Sequence, residues 1–366
     1  MEKSVFGAKK YGYEYTLICY PDEHVKKQAI KEATTFYPLL ISRKFSPISD
    51  IMQVVHLCRY IQSNKPDIIH THSPKAGLVG MLAGWVMRIK CRIHTVAGLP
   101  LVEKQGIYKY ILISVERLVY ACSHVVVFNS PRQAQYVIEN GWISPKKVKI
   151  IGKGSSNGID LSYFQKTQAI QTEVNKLRNE LAIQKDDLIL SFVGRIALPK
   201  GIEELVNAFL LLENEYNNLN LILVGSADNV DPISHEIWNI INTNSRIHWL
   251  GYKEDVRPYF QITDIFVFPS YREGFPQIIM QAAAMECPII ATDINGANEI
   301  IENGKNGLLI SPKSTTEIVA AVKKLIEEPD LRNTFSRQSR NAMINGFDQE
   351  KFWQGLDDLY KETLNR

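Results

Sequence analysis

Two basic residues flank a short loop in the stretch FVGRIALPKGIEELV, residues 192–206. An apolar run ends at Gly194, Arg195 and Lys200 follow it, and Gly201 opens an amphipathic segment typical of a helix. Two cations beside a helix N-terminus form a receptor for a phosphate or diphosphate. The spacing is not that of a Walker A loop and contains no GxGxxG, so these residues alone leave a solvated loop open.

A lone carboxylate lies in a second strand-to-helix junction, FVFPSYREGFPQIIMQAAAMECPIIATD. Glu273 stands in this loop, and Gln281 follows it eight residues later, in the helical part of the stretch. The turn after the carboxylate consists of Gly274, Phe275 and Pro276. A carboxylate here can accept hydrogen bonds from sugar hydroxyls, and the N–H groups of the turn point toward a ligand at the strand end. The alternative is an ordinary helix start with Glu in its favoured first turn.

Histidines end two predicted strands, in PDIIHTHSPKAGLVG (66–80) and RIHTVAGLP (92–100). A strand places His70 and His72 on the same face. Since no carboxylate or third histidine follows at helix spacing, the triplet does not indicate a metal site. A single imidazole at such a place is more often a hydrogen-bonding residue than a base. The loop KGSSNGID, 153–160, is consistent with either a hinge turn or a ligand contact.

Short apolar runs alternate with amphipathic runs of helical period along the whole chain. This alternation predicts parallel sheets covered by helices on both faces. Ligands of such sheets bind at the carboxyl ends of the strands, where the polar loops described above lie. The predicted strands cover residues 15–20, 35–41, 66–72, 92–98, 124–130 and 147–154, and then 187–195, 219–226, 247–252, 265–270, 287–292 and 307–311.

The length of 366 residues exceeds what one compact core accommodates and fits two domains. A polar interval near 155–185 separates the two series of predicted strands. We therefore predict a doubly wound, Rossmann-like N-terminal domain over 1–170 and a second one over 171–345. A C-terminal helix over 346–366 is expected to pack back on the N-terminal domain.

The composition, with 45% hydrophobic and 22% charged residues, is that of a soluble globular protein. Every apolar run is far shorter than the roughly 18–20 residues of a membrane span. Charged residues close to Met1 do not match a signal peptide. The five cysteines are scattered and never in CxxC spacing, which favours reduced thiols in the cytosol over disulfides or zinc ligands.

The net charge of +3 conceals an asymmetry between the two halves. Residues 1–170 carry 23 Lys and Arg against 11 Asp and Glu, whereas residues 171–366 carry 19 against 28. The basic half is expected to meet an anionic partner: a membrane face, a phosphorylated substrate or a nucleic acid. Because no basic motif interleaved with aromatic residues stands out, we expect no nucleic acid.

Together and in this order, the segments resemble glycosyltransferase family 4, the retaining, nucleotide-sugar-dependent enzymes of GT-B fold. The likeness in the second half rests on VGRIALPKG, LVGS, IHWLGY, FVFPSYREGFPQIIMQAAAMECPIIATD and GKNGLLI. In the first half, HTHSPKAGLVGMLAG, RIHTVAGLP and GSSNGID are similar to the branch that builds bacterial capsular and O-antigen (lipopolysaccharide) polysaccharides. The resemblance covers nearly the whole chain and implies two Rossmann-like domains facing each other across a cleft.

The resemblance implies roles for several residues. Arg195 and Lys200 match the residues that hold the donor diphosphate in the family. Glu273 matches the first Glu of the E-x7-E motif and is expected to touch the donor sugar, beside the backbone of 274–276. His94 is expected near the reacting sugar. The resemblance implies no protein nucleophile at the sugar. It also implies no metal ion, because the two cations can neutralise the leaving nucleoside diphosphate.

The chain departs from the family pattern in two places. Gln281 replaces the second Glu, which binds the nucleoside ribose; Gln can still bond a diol, but the charge-assisted bond is lost. Family members also begin with a strand and a Gly-rich loop, whereas this chain begins within the pattern of the first helix, MEKSVFGAKKYGYEYTLICYP. A missing first strand would be an interior one, so its loss would leave backbone groups unpaired. Because unpaired backbone groups in a sheet are costly, we expect either a misassigned start or a truncated product.

The resemblance implies a transferase that moves a sugar from a UDP-sugar onto a glycan carried on a polyprenyl diphosphate. We expect it to be cytoplasmic and peripheral at the inner face of the cytoplasmic membrane, with the basic segments 88–92 and 146–153 near anionic lipid. One alternative is a non-catalytic partner subunit of the same fold. Another is a nucleotide-sugar epimerase, which would need catalytic carboxylates from both domains.

Overall fold

The computed structural model describes residues 9–41, 46–99 and 105–365. Residues 1–8, on which the expectation about the first helix rests, lie outside the described residues. The chain forms two compact units: an N-terminal unit of Met1–Gly158 with Gln349–Arg366, and a C-terminal unit of Ile159–Asp348. The division falls at Gly158 instead of residue 170, since the Ile159 N–H donates to the Phe347 carbonyl at 2.7 Å.

The N-terminal unit contains two parallel sheets, in the orders β1-β2 and β3-β4-β5-β6. Its strands are Thr16–Cys19 (β1), Thr35–Pro38 (β2), Ile68–His72 (β3), Cys91–Val96 (β4), Val125–Phe128 (β5) and Val148–Lys149 (β6). Its first five helices are Glu23–Lys31 (α1), Pro47–Asn64 (α2), Pro74–Val86 (α3), Gly106–Cys122 (α4) and Pro131–Glu139 (α5). Within the described ranges, no strand is hydrogen-bonded between β1 and β3.

The C-terminal unit contains one parallel sheet of six strands, in the order β12-β11-β10-β7-β8-β9. The strands are Leu188–Val193 (β7), Leu219–Val224 (β8), Ile247–Trp249 (β9), Ile265–Phe268 (β10), Ile289–Thr292 (β11) and Leu308–Ile310 (β12). The helices are Gln168–Glu180 (α6), Ile202–Glu213 (α7), His235–Thr243 (α8), Arg257–Ile262 (α9), Gln277–Ala284 (α10), Ala297–Ile300 (α11), Thr315–Glu327 (α12) and Pro329–Gly346 (α13). The predicted α/β class with two doubly wound parallel units is confirmed.

The strand order of the C-terminal sheet reverses at its centre. The chain runs from β7 outward through β8 to β9, then crosses to β10 on the other side of β7 and continues outward to β12. With right-handed connections, the helices that follow β7 and β10 therefore lie on opposite faces of the sheet. The gap between the loops that lead to two such helices is the place where open α/β sheets bind ligands.

The last helix, Gln349–Leu364 (α14), packs within the N-terminal unit. The Tyr13 hydroxyl donates to Asp357 Oδ1 at 2.9 Å, and the rings of Tyr13 and Tyr360 meet edge to face at 5.3 Å. Ile151 and Leu359 belong to the same buried apolar cluster. In the part of the chain that the structure describes, no helix is both long enough and apolar enough to cross a bilayer.

Helix α3 approaches its sheet closely because three glycines face the strands. A Cβ added at Gly80 would lie 2.3 Å from Thr71 Cγ2, and one at Gly84 would lie 2.9 Å from Ile69 Cγ2. At Gly77 it would lie 2.6 Å from the His94 ring. Contacts of this length do not occur between real side chains, so side chains at these positions would push the helix off the sheet.

Gly80→Ala is expected to lower the free energy of unfolding by about 1–3 kcal/mol, because the new methyl overlaps Thr71. Adding Thr71→Ser should restore most of this loss, since Ser lacks Cγ2 but keeps the hydroxyl that bonds His94. Urea unfolding of both variants measures the effect. Equal losses in Gly80→Ala and the double variant would contradict this account of the packing.

Candidate functional site

The loop after β7 carries the first set of predicted site residues. The turn Leu198–Lys200 is a short 3-10 helix, and Gly201 then opens α7 with a left-handed φ of 71°. A Cβ at Gly201 would lie 2.2 Å from the Pro269 carbonyl oxygen, in the loop after β10. Glycine is therefore required here twice, for its backbone angle and for the close approach of the neighbouring loop.

Hydrogen bonds tie the loop after β10 to the loop after β7. The Tyr271 N–H donates to the Pro199 carbonyl at 2.9 Å. The Tyr271 hydroxyl lies 2.7 and 2.8 Å from the two carboxylate oxygens of Glu204, in the first turn of α7. Burial and this carboxylate raise the pKa of the Tyr271 hydroxyl, which therefore stays a donor. The two loops form one connected structure at the centre of the sheet.

Lys200 and Glu273 meet between these two loops. Lys200 Nζ contacts Glu273 Oε1, and the Ser270 hydroxyl donates to the same oxygen at 2.9 Å. The two side chains are only 18% and 16% exposed, so water screens their attraction little. Lys200 Nζ also lies 5.8 Å from the centre of the Phe268 ring. The predicted cation and the predicted carboxylate thus form one polar cluster.

The turn of Gly274, Phe275 and Pro276 offers its backbone to a ligand. The Phe275 side chain is buried and packs on Phe347, with ring centres 5.9 Å apart, so it anchors the turn. A Cβ at Gly296, in the loop after β11, would lie 2.5 Å from the Gly274 carbonyl oxygen. Helix α10 follows directly, with Pro276 at its N-cap.

Gln281 lies one turn inside α10 and is partly exposed. Among the described residues, its side-chain amide has no hydrogen-bond partner. An amide in this state offers one acceptor and two donors to a ligand.

Arg195 lies at the edge of the site and is 57% exposed. Its Nη1 contacts Asp228 Oδ2, in the loop after β8. The backbone N–H groups of Asp231 and Val230, and then the guanidinium, hold the pKa of the Asp228 carboxyl below its usual value. The remaining donors of the Arg195 fork can reach a ligand. The sequence analysis missed Asp228 because no local pattern links it to an arginine 33 residues earlier.

The site therefore presents cations and a carboxylate side by side. Lys200 has three N–H donors, and its contact with Glu273 uses one of them. The other donors can meet phosphate oxygens, while the free oxygen of Glu273 can accept from hydroxyl groups. Within the described residues, no group of three histidine, cysteine or carboxylate side chains is arranged to hold a metal ion.

Three predicted histidines of the N-terminal unit, His70, His72 and His94, lie in the carboxyl-terminal halves of β3 and β4. His70 and His72 stack on the same face with ring centres 4.3 Å apart, as the strand pattern predicts. His70 Nδ1 lies 2.7 Å from the Tyr360 hydroxyl, and its Nε2 lies 2.7 Å from Thr95 Oγ1. Burial lowers the pKa of His72 to about 4 and that of His70 well below 6.5. Both rings are therefore neutral near pH 7.

His94 is 1% exposed and lies beneath α3. Its Nδ1 bonds the Thr71 hydroxyl at 2.8 Å, and burial lowers its pKa to about 3. The ring also fills the space that a side chain at Gly77 would need. This geometry favours a packing role, and the expected place of His94 near a reacting sugar stays a prediction.

The chain matches two described families over most of its length. Residues 7–163 match Glycosyltransferase Family 4, and residues 173–342 match Glycosyl transferases group 1. One relative is the capsular polysaccharide biosynthesis glycosyltransferase CapM of Staphylococcus aureus, 28% identical over 92% of this chain and 87% of its own. Another is the UDP-Gal:alpha-D-GlcNAc-diphosphoundecaprenol alpha-1,3-galactosyltransferase of Escherichia coli, 25% identical over 96% and 90%.

The fold is also that of a solved protein. The HepE protein of Anabaena, crystallised in complex with UDP, superimposes with a TM-score of 0.82 at 19% identity. The match covers 98% of this chain and 94% of that one.

Tyr271→Phe is expected to lower the free energy of unfolding by about 1–2 kcal/mol, because it leaves the Glu204 carboxylate without its donor. Tyr252→Phe, at a tyrosine that is 72% exposed, is the matched control and should change stability little. Urea unfolding measures both variants. Equal stability of the two variants would show that the bond does not hold the loops together.

Proposed function

The chain belongs to the glycosyltransferases and has the GT-B fold, and on this premise we propose that it transfers a sugar from a UDP-sugar to a glycan on a polyprenyl diphosphate. The observation that carries the proposal is the Lys200–Glu273 pair beside the glycine start of α7, at the reversal point of the sheet. A sugar diphosphate carries both negative phosphates and hydroxyl groups, and the pair complements both.

In the proposed binding mode, Lys200 and Arg195 bind the diphosphate. Lys200 donates the N–H groups that Glu273 does not use, and Arg195 donates from the exposed part of its fork. Glu273 accepts from hydroxyls of the donor sugar. The N–H groups of Gly274 and Phe275 and those at the start of α10 lie beside the sugar and phosphates. Gln281 bonds the ribose through its free amide.

Transfer proceeds with retention in this proposal. The bond between the anomeric carbon and the diphosphate oxygen breaks, and the acceptor hydroxyl attacks on the face that the diphosphate leaves. A phosphate oxygen takes the proton of that hydroxyl. The negative charge that develops on the leaving UDP is stabilised by Lys200 and Arg195, which are already in place before the reaction. We therefore expect no required metal ion.

The acceptor assignment is supported by the relatives. The Escherichia coli relative acts on GlcNAc-diphosphoundecaprenol, and the Staphylococcus aureus relative serves capsular polysaccharide biosynthesis. An acceptor of this chemistry resides in a membrane, so the enzyme must work at a bilayer surface. The basic balance of residues 1–170 suits the anionic inner face of the cytoplasmic membrane. A role in surface polysaccharide assembly follows.

Calorimetric titration of the protein with UDP, GDP and ADP, in buffer containing EDTA, tests the donor site. We expect saturable binding of UDP without metal. Lys200→Ala should weaken it by about 10–100-fold, because a charged hydrogen-bond donor to the phosphates is lost. Glu273→Ala should weaken UDP itself less than it weakens the UDP-sugar. Lys305→Ala removes an exposed lysine that pairs with Glu302 in its own loop, and serves as the matched control.

Three outcomes would contradict the proposal. If the wild type binds no nucleotide, a non-catalytic partner subunit becomes the better description. If Lys200→Ala and Lys305→Ala bind UDP equally well, the diphosphate does not lie at Lys200. If the UDP-sugar is converted to its epimer without any acceptor, the protein is an isomerase.

A further inference from the structure

Two helices of the N-terminal unit expose apolar side chains on their outer faces. On α2 these are Ile48, Ile51, Met52 and Val55, which are 45–77% exposed. On α4 they are Ile107, Tyr108, Tyr110 and Ile111, which are 41–81% exposed. We call these eight side chains the α2/α4 apolar surface. Scattered exposed apolar residues are ordinary, but clusters on two helices that pack against the same third helix mark an interaction site.

The spacing places each cluster on one helix face. Positions 48, 51, 52 and 55 follow the i, i+3, i+4, i+7 pattern. The core-facing side of α2 is supplied by other residues, including Leu57 and Ile61, and that of α4 by Val119 and Tyr120. Packing of the N-terminal unit therefore does not account for the exposed clusters. Helix α3 packs between α2 and α4, so the two clusters flank it.

On α2 and α4, the acidic side chains are buried and the exposed charged side chains are basic. The acidic residues, Asp50 on α2 and Glu116 on α4, are 7% and 5% exposed. Asp50 is moreover paired with Lys75. The exposed charged residues are Arg59 and Arg117, and each lies about one to two turns beyond the apolar cluster of its helix. Each helix thus presents an apolar cluster followed by an arginine. This order complements a bilayer, in which anionic phosphates lie above the acyl chains.

In the basic segments 88–92 and 146–153, two of the cations are bonded to carbonyl groups inside the unit. Arg92 donates to the carbonyls of Cys122 and Ile89, both at 2.7 Å. Lys147 donates to the carbonyls of Tyr120, Ala121 and Ser123 at 2.8–3.0 Å. Arg92 and Lys147 thereby stabilise the C-terminal end of α4. Of the other cations of these segments, four are exposed and stay available to anionic lipid: Arg88, Lys90, Lys146 and Lys153.

We propose that the α2/α4 apolar surface inserts into the interface of an anionic bilayer. The apolar side chains enter the boundary between headgroups and acyl chains, the two tyrosines lie at headgroup depth, and Arg59 and Arg117 reach lipid phosphates. Both helices follow strands of parallel sheets, so their N-terminal halves lie toward the carboxyl ends of the strands. This inference rests on the proposed function, since it names the surface through which the enzyme reaches a membrane-held acceptor.

Sedimentation of the full chain with vesicles tests the surface. The vesicles contain either phosphatidylcholine alone or phosphatidylcholine with phosphatidylglycerol. The wild type should bind the anionic vesicles in a salt-dependent way. Ile51→Ser with Met52→Ser should lower the partition coefficient by at least about tenfold, because several buried methylenes are lost. Ile107→Ser with Ile111→Ser should do the same.

The arginines are tested separately from the apolar residues. Arg59→Ala with Arg117→Ala should lower binding to anionic vesicles by about fivefold for each arginine, and should reduce its salt dependence. The matched control is Leu211→Ser with Ile344→Ser, which removes two exposed apolar side chains from the C-terminal unit. This control should bind vesicles as the wild type does. Far-UV circular dichroism and the UDP titration verify that every variant is folded.

The outcomes separate this proposal from the proposed function. Unchanged vesicle binding in both serine pairs overturns the surface while leaving the donor site intact if UDP still binds. In another outcome, the wild type fails to bind vesicles and forms a dimer that the serine pairs dissociate. That result would assign the surface to a second copy of the chain and overturn membrane insertion. Vesicle binding that is lost in the serine pairs, together with no UDP binding, supports the surface and contradicts the proposed donor site.

Discussion

The contact between Lys200 and Glu273 is the interaction on which the site depends, because it joins residues that lie 73 positions apart in the chain. It exists only because β7 and β10 are neighbours in the sheet. Gly201 permits the approach, since any side chain there would strike Pro269. The bonds of Tyr271 to Pro199 and Glu204 then hold the two loops at that distance. Topology, one glycine and three polar contacts therefore fix the relative positions of a cation and a carboxylate.

The site combines two shielded side chains with one exposed side chain. Lys200 and Glu273 are shielded and connected, so a ligand meets them already oriented, which lowers the reorganisation cost of binding charge. Arg195 is exposed and held by Asp228, so it can exchange a carboxylate partner for a phosphate. The buried Phe275 leaves only backbone at the turn for a ligand to contact. His70 and His94 in the N-terminal unit are neutral and bonded to neighbours, and they contribute order to that unit.

The sequence predicted the position of each strand in the described residues, because fully buried parallel strands form short apolar runs that turn residues interrupt. It overestimated the length of some strands. The run 147–154 yields only the two-residue β6, since the residues after Lys149 turn away into the loop. It singled out Lys200 and Glu273 from their places at strand ends, and the structure brings these two side chains into contact. It could not identify Asp228 or the Tyr271–Glu204 bond, which arise from the order of strands in the sheet. The sequence could not show the burial of His94 either, because this burial depends on the glycines of α3.

The central claim is that a nucleoside diphosphate binds between the loops after β7 and β10. Hydrogen–deuterium exchange with and without UDP tests it most directly, because it locates binding along the chain. The account predicts slower amide exchange in peptides covering 194–201 and 270–277, and no change across α12 at Thr315–Glu327. Protection confined to other segments, with both loops unchanged at saturating UDP, would contradict it.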